Sequence, residues 1–149
     1  MFSVCGYANK GFQSRTLPQL RKVEVTPRGE RSERWQGIQH GELVKSLHGV
    51  LKDLFGVVPM NEQYLLSPND AIMVGGFELG TETKGKKGTT IKPVEPFPGI
   101  GTSVGFIHAN DSSKALRVLA GGRVFLCSNG AVVGEVKFQR KHTTGLYLH

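Results

Sequence analysis

Nine side chains in this sequence have the charge and spacing to hold phosphate: Arg117, Arg123, Lys137, Arg140, Lys141 and His142, with Lys84, Lys86 and Lys87 in a stretch rich in glycine and threonine. Arg140, Lys141 and His142 stand in a row. The hydroxyls of Thr143 and Thr144 and then Gly145 follow, so charge and neutral donors fall within reach of one phosphate. His142 adds charge only when protonated, near the ordinary imidazole pKa of about 6.5. Cations spaced along a strand need no further chemistry to grip a nucleic-acid backbone, because phosphate contacts carry most of the salt-dependent affinity.

Other chemistries are less well supplied. Cys127 with His108 or His142 as base and Asp111 as orienting group has the makings of a thiol nucleophile. Nothing in the spacing is particular to a cysteine hydrolase, and a cysteine inside a β-prone run is usually buried and inert. The same four residues are possible zinc ligands, but no pair has the close C-x-x-C or H-x-x-x-H spacing of a metal site. The run from Gly80 to Lys87 has the glycine spacing of a P-loop, yet ends in lysine where magnesium binding needs Ser or Thr, and no strand-to-helix transition surrounds it. Gly99, Gly101 and Gly105 are an incomplete dinucleotide fingerprint. The sequence reads as non-enzymatic, with no cofactor or metal.

Composition points the same way. The 149 residues suit one domain with a real core. Lys and Arg number 19 against 12 acidic residues, a formal charge of +7 that favours polyanionic partners. Cys5 and Cys127 fit a reducing compartment and idle thiols better than a disulfide framework. No apolar run approaches the roughly 20 residues of a membrane span, and the first residues lack a secretion pattern, so the expected location is the cytoplasm.

These cations need elements to position them. Twenty glycines and seven prolines argue for many turns. The organising stretch is 121–135, where Asn129-Gly130 between apolar runs predicts a β-hairpin with a type I′ turn. Its arms are 123–128 and 131–138, and Val124, Leu126 and Val132 face the core. One helix is expected over 39–55, with Leu43, Val44, Leu47, Val50, Leu51, Leu54 and Phe55 on one face and Gly56 as its stop. His40 and His48 read as partly exposed helix residues. Short strands are expected at 63–67, 71–79, 102–108 and 114–120, with a bulge or close backbone approach at Gly75-Gly76. The stretch 80–101 has no apolar period and reads as a flexible surface loop presenting its lysines.

Residues 1–37 read as a basic arm, with seven cations against three glutamates, stapled to the core by Trp35. Residues 38–149 form the domain proper. The predicted class is α+β: a mostly antiparallel sheet of about five or six strands with one main amphipathic helix packed on it.

The run from Gly105 to Gly145 contains His-Ala-Asn-Asp, then Ala-Leu-Arg-Val-Leu-Ala-Gly-Gly-Arg-Val-Phe-Leu-Cys-Ser-Asn-Gly, then Gly-Glu and Arg-Lys-His-Thr. It resembles the phage- and plasmid-encoded family called domain of unknown function 932. Ile-Gln-His-Gly-Glu-Leu at 38–43 is similar to that family's earlier helix entry, and the likeness covers most of the chain from about Trp35 onward. Members continue past Lys-His-Thr with helical sequence, so this chain resembles a short or truncated one. The resemblance implies a mobile-element origin and a role in DNA metabolism or counter-defence. Two expectations follow: a nucleic-acid-binding protein, for single-stranded DNA binding or annealing and able to form homo-oligomers, or an interaction protein that inhibits a host factor.

Overall fold

The segment expected as a helix at 39–55 is one at His40–Phe55 in the computed structural model, which describes residues 1–25, 37–96, 101–111 and 113–140. Gln39 fixes its start by accepting the Glu42 N–H at 3.1 Å on its side-chain oxygen. Gly56 fixes its end in a left-handed conformation, donating to the Lys52 carbonyl. Leu43 and Val44 are fully buried, and Leu47 and Leu51 pack partly on the same core. Burying each such side chain contributes about 1.5–3 kcal/mol. Leu54 and Phe55 belong to the expected stripe but are 70% and 69% exposed, so the last turn stands clear of that core. No described helix is long and apolar enough to cross a membrane.

This helix, α2, follows a single-turn helix α1 at Leu17–Leu20, capped by Thr16 and Gln19, with Leu20 fully buried. The strands among the described residues are β1 (Phe2–Cys5), β2 (Gln13–Ser14), β3 (Val58–Leu66), β4 (Ile72–Gly85), β5 (Gly88–Pro93), β6 (Ser103–Ala109), β7 (Leu116–Gly121), β8 (Val124–Cys127), β9 (Val132–Val133) and β10 (Val136–Arg140). The class is α+β and mostly antiparallel, with more strands than the five or six expected.

They form two sheets. The larger has the order β10-β7-β6-β4-β3-β2, with β5 paired to the far part of β4; the smaller is β1-β8-β9. Side chains alternate across the larger sheet and build two cores. On one face Met73, Phe77, Val104, Phe106 and Leu116 meet Leu20, Leu43 and Val44 of the helices. On the other, Val74, Ile107 and Leu119 meet Val124 and Leu126 of the small sheet. The domain is therefore three layers: helices, large sheet, small sheet.

Three expectations about organisation are corrected. Residues 1–25 are not an arm: β1 pairs β8 in parallel from Phe2↔Val124 to Cys5↔Cys127, β2 pairs β3, and α1 joins the helix layer. Trp35 lies outside the described residues. The first part of the 80–101 loop is a β-ribbon, since β4 runs on to Gly85 and pairs β5 from Gly80↔Pro93 to Gly85↔Gly88. The second hairpin arm, 131–138, is split. Its first half is β9 beside β8, and its second half crosses to the edge of the large sheet as β10, pairing β7 from Val136↔Ala120 to Arg140↔Leu116.

The Asn129-Gly130 turn forms, and Val124 and Leu126 are buried with Val132 packed beside them. Cys127 N–H donates to the Ala131 carbonyl at 2.8 Å, so the connection holds three residues, and Gly130 alone of them has positive φ. A two-residue type I′ turn would need two. At Gly75-Gly76 the structure has the close approach. A Cβ on Gly76 would lie 2.5 Å from the Phe2 ring and 2.5 Å from the Val104 carbonyl oxygen. The register shift sits on the neighbouring strand, between Met60 and Gln63, with Asn61 at positive φ.

Candidate nucleic-acid interface

Among the described residues the ribbon past Gly80 pairs with nothing but itself, and every residue from 81 to 93 is exposed. Lys84 lies opposite Thr89, Lys92 opposite Thr81, and Lys86-Lys87 make the two-residue turn between Gly85 and Gly88. Gly88 has φ +112°, a value that favours glycine and lets the turn close tightly. Six register pairs at about 3.4 Å each give a finger roughly 20 Å long. It carries Lys84, Lys86, Lys87 and Lys92 against Glu82, with Thr81, Thr83, Thr89 and Thr90 as neutral donors.

The other expected site residues do not form one strip. Gln139 pairs with Arg117 and Lys137 with Leu119, so all four point toward the small-sheet side. Arg140 pairs with Leu116 and points to the helix side, because three positions along a strand reverse the face. Arg123 stands exposed just past Gly121, which pairs with Ser103 and through it with Glu78 near the ribbon's root. Arg123 therefore shares the ribbon end of the sheet. Lys141 and His142, with Thr143, Thr144 and Gly145, lie outside the described residues.

A second cationic place was not foreseen. At the opposite end of β4 the two sheets splay around a cavity of about 380 Å³, where Lys10 and Lys114 join Arg117 over a floor that includes Phe12, Ile72 and Ile107. Lys10 has little signal in sequence, since its place follows from the turn after β1. Val74 and Lys84 are ten positions apart on β4, which puts cavity and ribbon tip on the order of 30 Å apart.

Cys127, His108 and Asp111 are not brought together, and His142, the other expected base, lies outside the described residues. His108 is fully buried on the helix side of the large sheet, with Nδ1 2.8 Å from Nδ1 of His40. Cys127 belongs to the small sheet, on the far side of the large one. His40, expected to be partly exposed, is fully buried too, and its Nε2 lies 2.8 Å from the Asp70 carbonyl. In the neutral pair, Nε2–H of His40 donates to that carbonyl and its Nδ1 accepts from His108. The pair ties the start of α2 to the sheet. Asp111 is occupied locally, accepting the Ser113 N–H at 3.0 Å.

The cysteines are neighbours rather than separate idle thiols. Cys5 is exposed, and register places it beside Cys127 at the end of the parallel ladder. The Asn129 backbone N–H, then the Cys5 thiol, hold the Cys127 thiol below its ordinary range, while Cys127 raises that of Cys5.

One polar cluster gives a pH prediction. His48 Nε2 lies 3.3 Å from Glu62 Oε1, and the Tyr64 hydroxyl donates to the same oxygen at 2.6 Å. Burial lowers the His48 pKa, and Glu62 offsets only part of this. The unfolded chain then binds more protons than the folded one just below the ordinary histidine value, so stability falls as pH drops through and below about 6.5. Denaturant titration of His48→Gln is expected to show a flatter pH dependence in that window. A slope equal to that of the parent would remove His48 as its source.

No family model, curated protein or solved structure matches the chain. The family resemblance rests on the residues quoted for it.

Proposed function

We propose that this protein binds nucleic acid without catalysing a reaction, laying the β4–β5 ribbon against the phosphate backbone. The observation that carries this reading is the ribbon itself: a fully exposed two-stranded finger with four lysines and a single acid. Apolar burial does not account for its projection, since Ile91 alone among its residues is a large hydrophobe, and it is 41% exposed. The major groove of a duplex, about 12 Å wide, admits a two-stranded ribbon. Lysine ammoniums at the tip and threonine hydroxyls along the sides suit phosphate oxygens on either groove wall.

Arg123 extends the contact at the ribbon's root. Arg117 and Arg140 lie toward the other end of the sheet and take no part in it. A host-directed interaction protein would present the N-terminal residues and the 80–101 stretch as its contact surface, and residues 1–25 are instead built into the layers. On the family resemblance, the role falls to a phage or plasmid protein acting in the cytoplasm.

Fluorescence anisotropy of labelled duplex and single-stranded oligonucleotides, titrated at graded salt, tests the proposal. Duplex binding is expected to weaken linearly in log salt with a slope of about −3.5 to −4.5, about 0.9 of a unit for each phosphate neutralised by the four lysines and Arg123. Affinity that does not fall as salt rises would overturn it. Single-strand binding that exceeds duplex binding would move the contact from groove to bare backbone.

A further inference from the structure

We propose that the cavity between the two sheets binds a single nucleotide, its base on the apolar floor and its phosphate on Lys10, Lys114 and Arg117. The proposal is independent of the ribbon. The cavity lies at the opposite end of β4, and its volume of about 380 Å³ is within the range of small-molecule sites.

Its lining has two chemistries. Phe12, Ile72 and Ile107 give an apolar surface, and the Phe12 ring meets that of Tyr7 edge-on, with centroids 5.0 Å apart at 60°. Such a surface accepts a planar body by dispersion and stacking. Three cations line the same cavity, and among the described residues no carboxylate does. Lys10 is held there by donating to the Ser128 carbonyl at 2.9 Å, which leaves its ammonium two further protons to donate.

Arg117 is fixed by the strand that carries it, and its guanidinium is near enough to Tyr7 to act on that phenol electrostatically. Its planar fork suits two oxygens of one phosphate. Lys114, exposed two residues before β7, completes the lining. Three cations exceed what a monocarboxylate needs, whereas a phosphate monoester is nearly dianionic at neutral pH. The apolar floor, in turn, is wasted on inorganic phosphate. A nucleoside monophosphate satisfies both halves, whether free or at the phosphorylated end of a strand.

Isothermal titration of the full chain with dTMP and dAMP, and in parallel with thymidine and with inorganic phosphate alone, tests this. One nucleotide per chain is expected, with thymidine and phosphate each at least about tenfold weaker, since each loses one half of the contact. Arg117→Gln is expected to weaken dTMP roughly tenfold. Lys114→Gln, at an exposed position, provides the same test should the Arg117 variant fail to fold.

Thymidine binding as tightly as dTMP, phosphate binding as tightly as dTMP, no nucleotide binding at millimolar concentration, or unchanged affinity in a folded Lys114 variant would each overturn the proposal. To separate the two sources, 5′-phosphorylated and 5′-hydroxyl oligonucleotides are compared as competitors of dTMP on the Lys84→Ala, Lys86→Ala, Lys87→Ala background. Competition by the phosphorylated strand alone supports strand ends as ligands, and competition by neither supports the free nucleotide. That background also separates the two sites: dTMP binding retained while duplex binding is lost supports the cavity as a site of its own. Nucleotide binding in a parent chain with no duplex affinity supports it equally and sinks the ribbon reading.

Discussion

Changing Lys84, Lys86 and Lys87 together to alanine is expected to lower duplex affinity about a hundredfold at physiological salt and to reduce the salt slope by about 2.7 units. Each lysine that neutralises a B-DNA phosphate releases about 0.9 of a counterion, so three account for that change in slope. At roughly 0.15 M monovalent salt, each release is worth on the order of 0.7 of a log unit, which gives the hundredfold loss. All three residues are exposed, and the backbone pairing beneath them does not use their side chains. The melting temperature should therefore stay within about 2 °C of the parent, as for most surface changes. A folded triple variant with the parental slope would take the ribbon out of the interface.

The second large effect concerns stability. Gly76→Ala is expected to cost about 3 kcal/mol, at the upper end of what overpacking usually costs, in a domain whose total stability is on the order of 5–15 kcal/mol. The new Cβ would stand 2.5 Å from both the Phe2 ring and the Val104 carbonyl oxygen. The ring is a side chain with a rotatable bond, but the carbonyl belongs to the strand paired with β4 and moves only if the ladder moves. Thermal melting should fall by roughly 6–12 °C. Adding Phe2→Ala removes one of the two obstacles, so the double variant should lose less than the sum of the single losses. A Gly76→Ala protein melting within about 2 °C of the parent would mean that the strands do not approach so closely.

What could be read from the sequence follows how much local information each element carries. α2 has sixteen residues with a repeating apolar stripe and a glycine stop, and its bounds differ from those expected by a single residue. The Asn129-Gly130 hairpin was legible for the same reason, a turn signal between apolar runs. β1 has four residues, and its partner lies about 120 positions away, so nothing nearby in the chain marks it as a strand. The ribbon was missed for a different reason. Both of its faces are solvated, so threonine and lysine replace the apolar alternation by which strands are recognised.

Of the site residues, the lysines of the ribbon were legible as cations but not as a finger. Arg117, Lys137 and Arg140 were read as one row, and the pleat of β7 and β10 divides them. The cavity was out of reach, because Lys10, Lys114 and Arg117 meet only when two sheets are stacked. His40 misled because a histidine in the first turn of a helix is usually wet. Here the approach of β6 places His108 against it.

The parallel docking of β1 on β8 also has a consequence for how the molecule is made. Phe2 and Val4 have their seats beside Val124 and Leu126, which are synthesised more than a hundred codons later. Until then Val74 and Ile107 of the large sheet lack the small sheet that covers them, an apolar surface open to unwanted association. The loop that must close is nearly the whole chain, so its entropy cost falls due before the contacts return anything. A strand synthesised early is thus seated late, and this face of the sheet stays adhesive until residues 124–127 arrive to hold it.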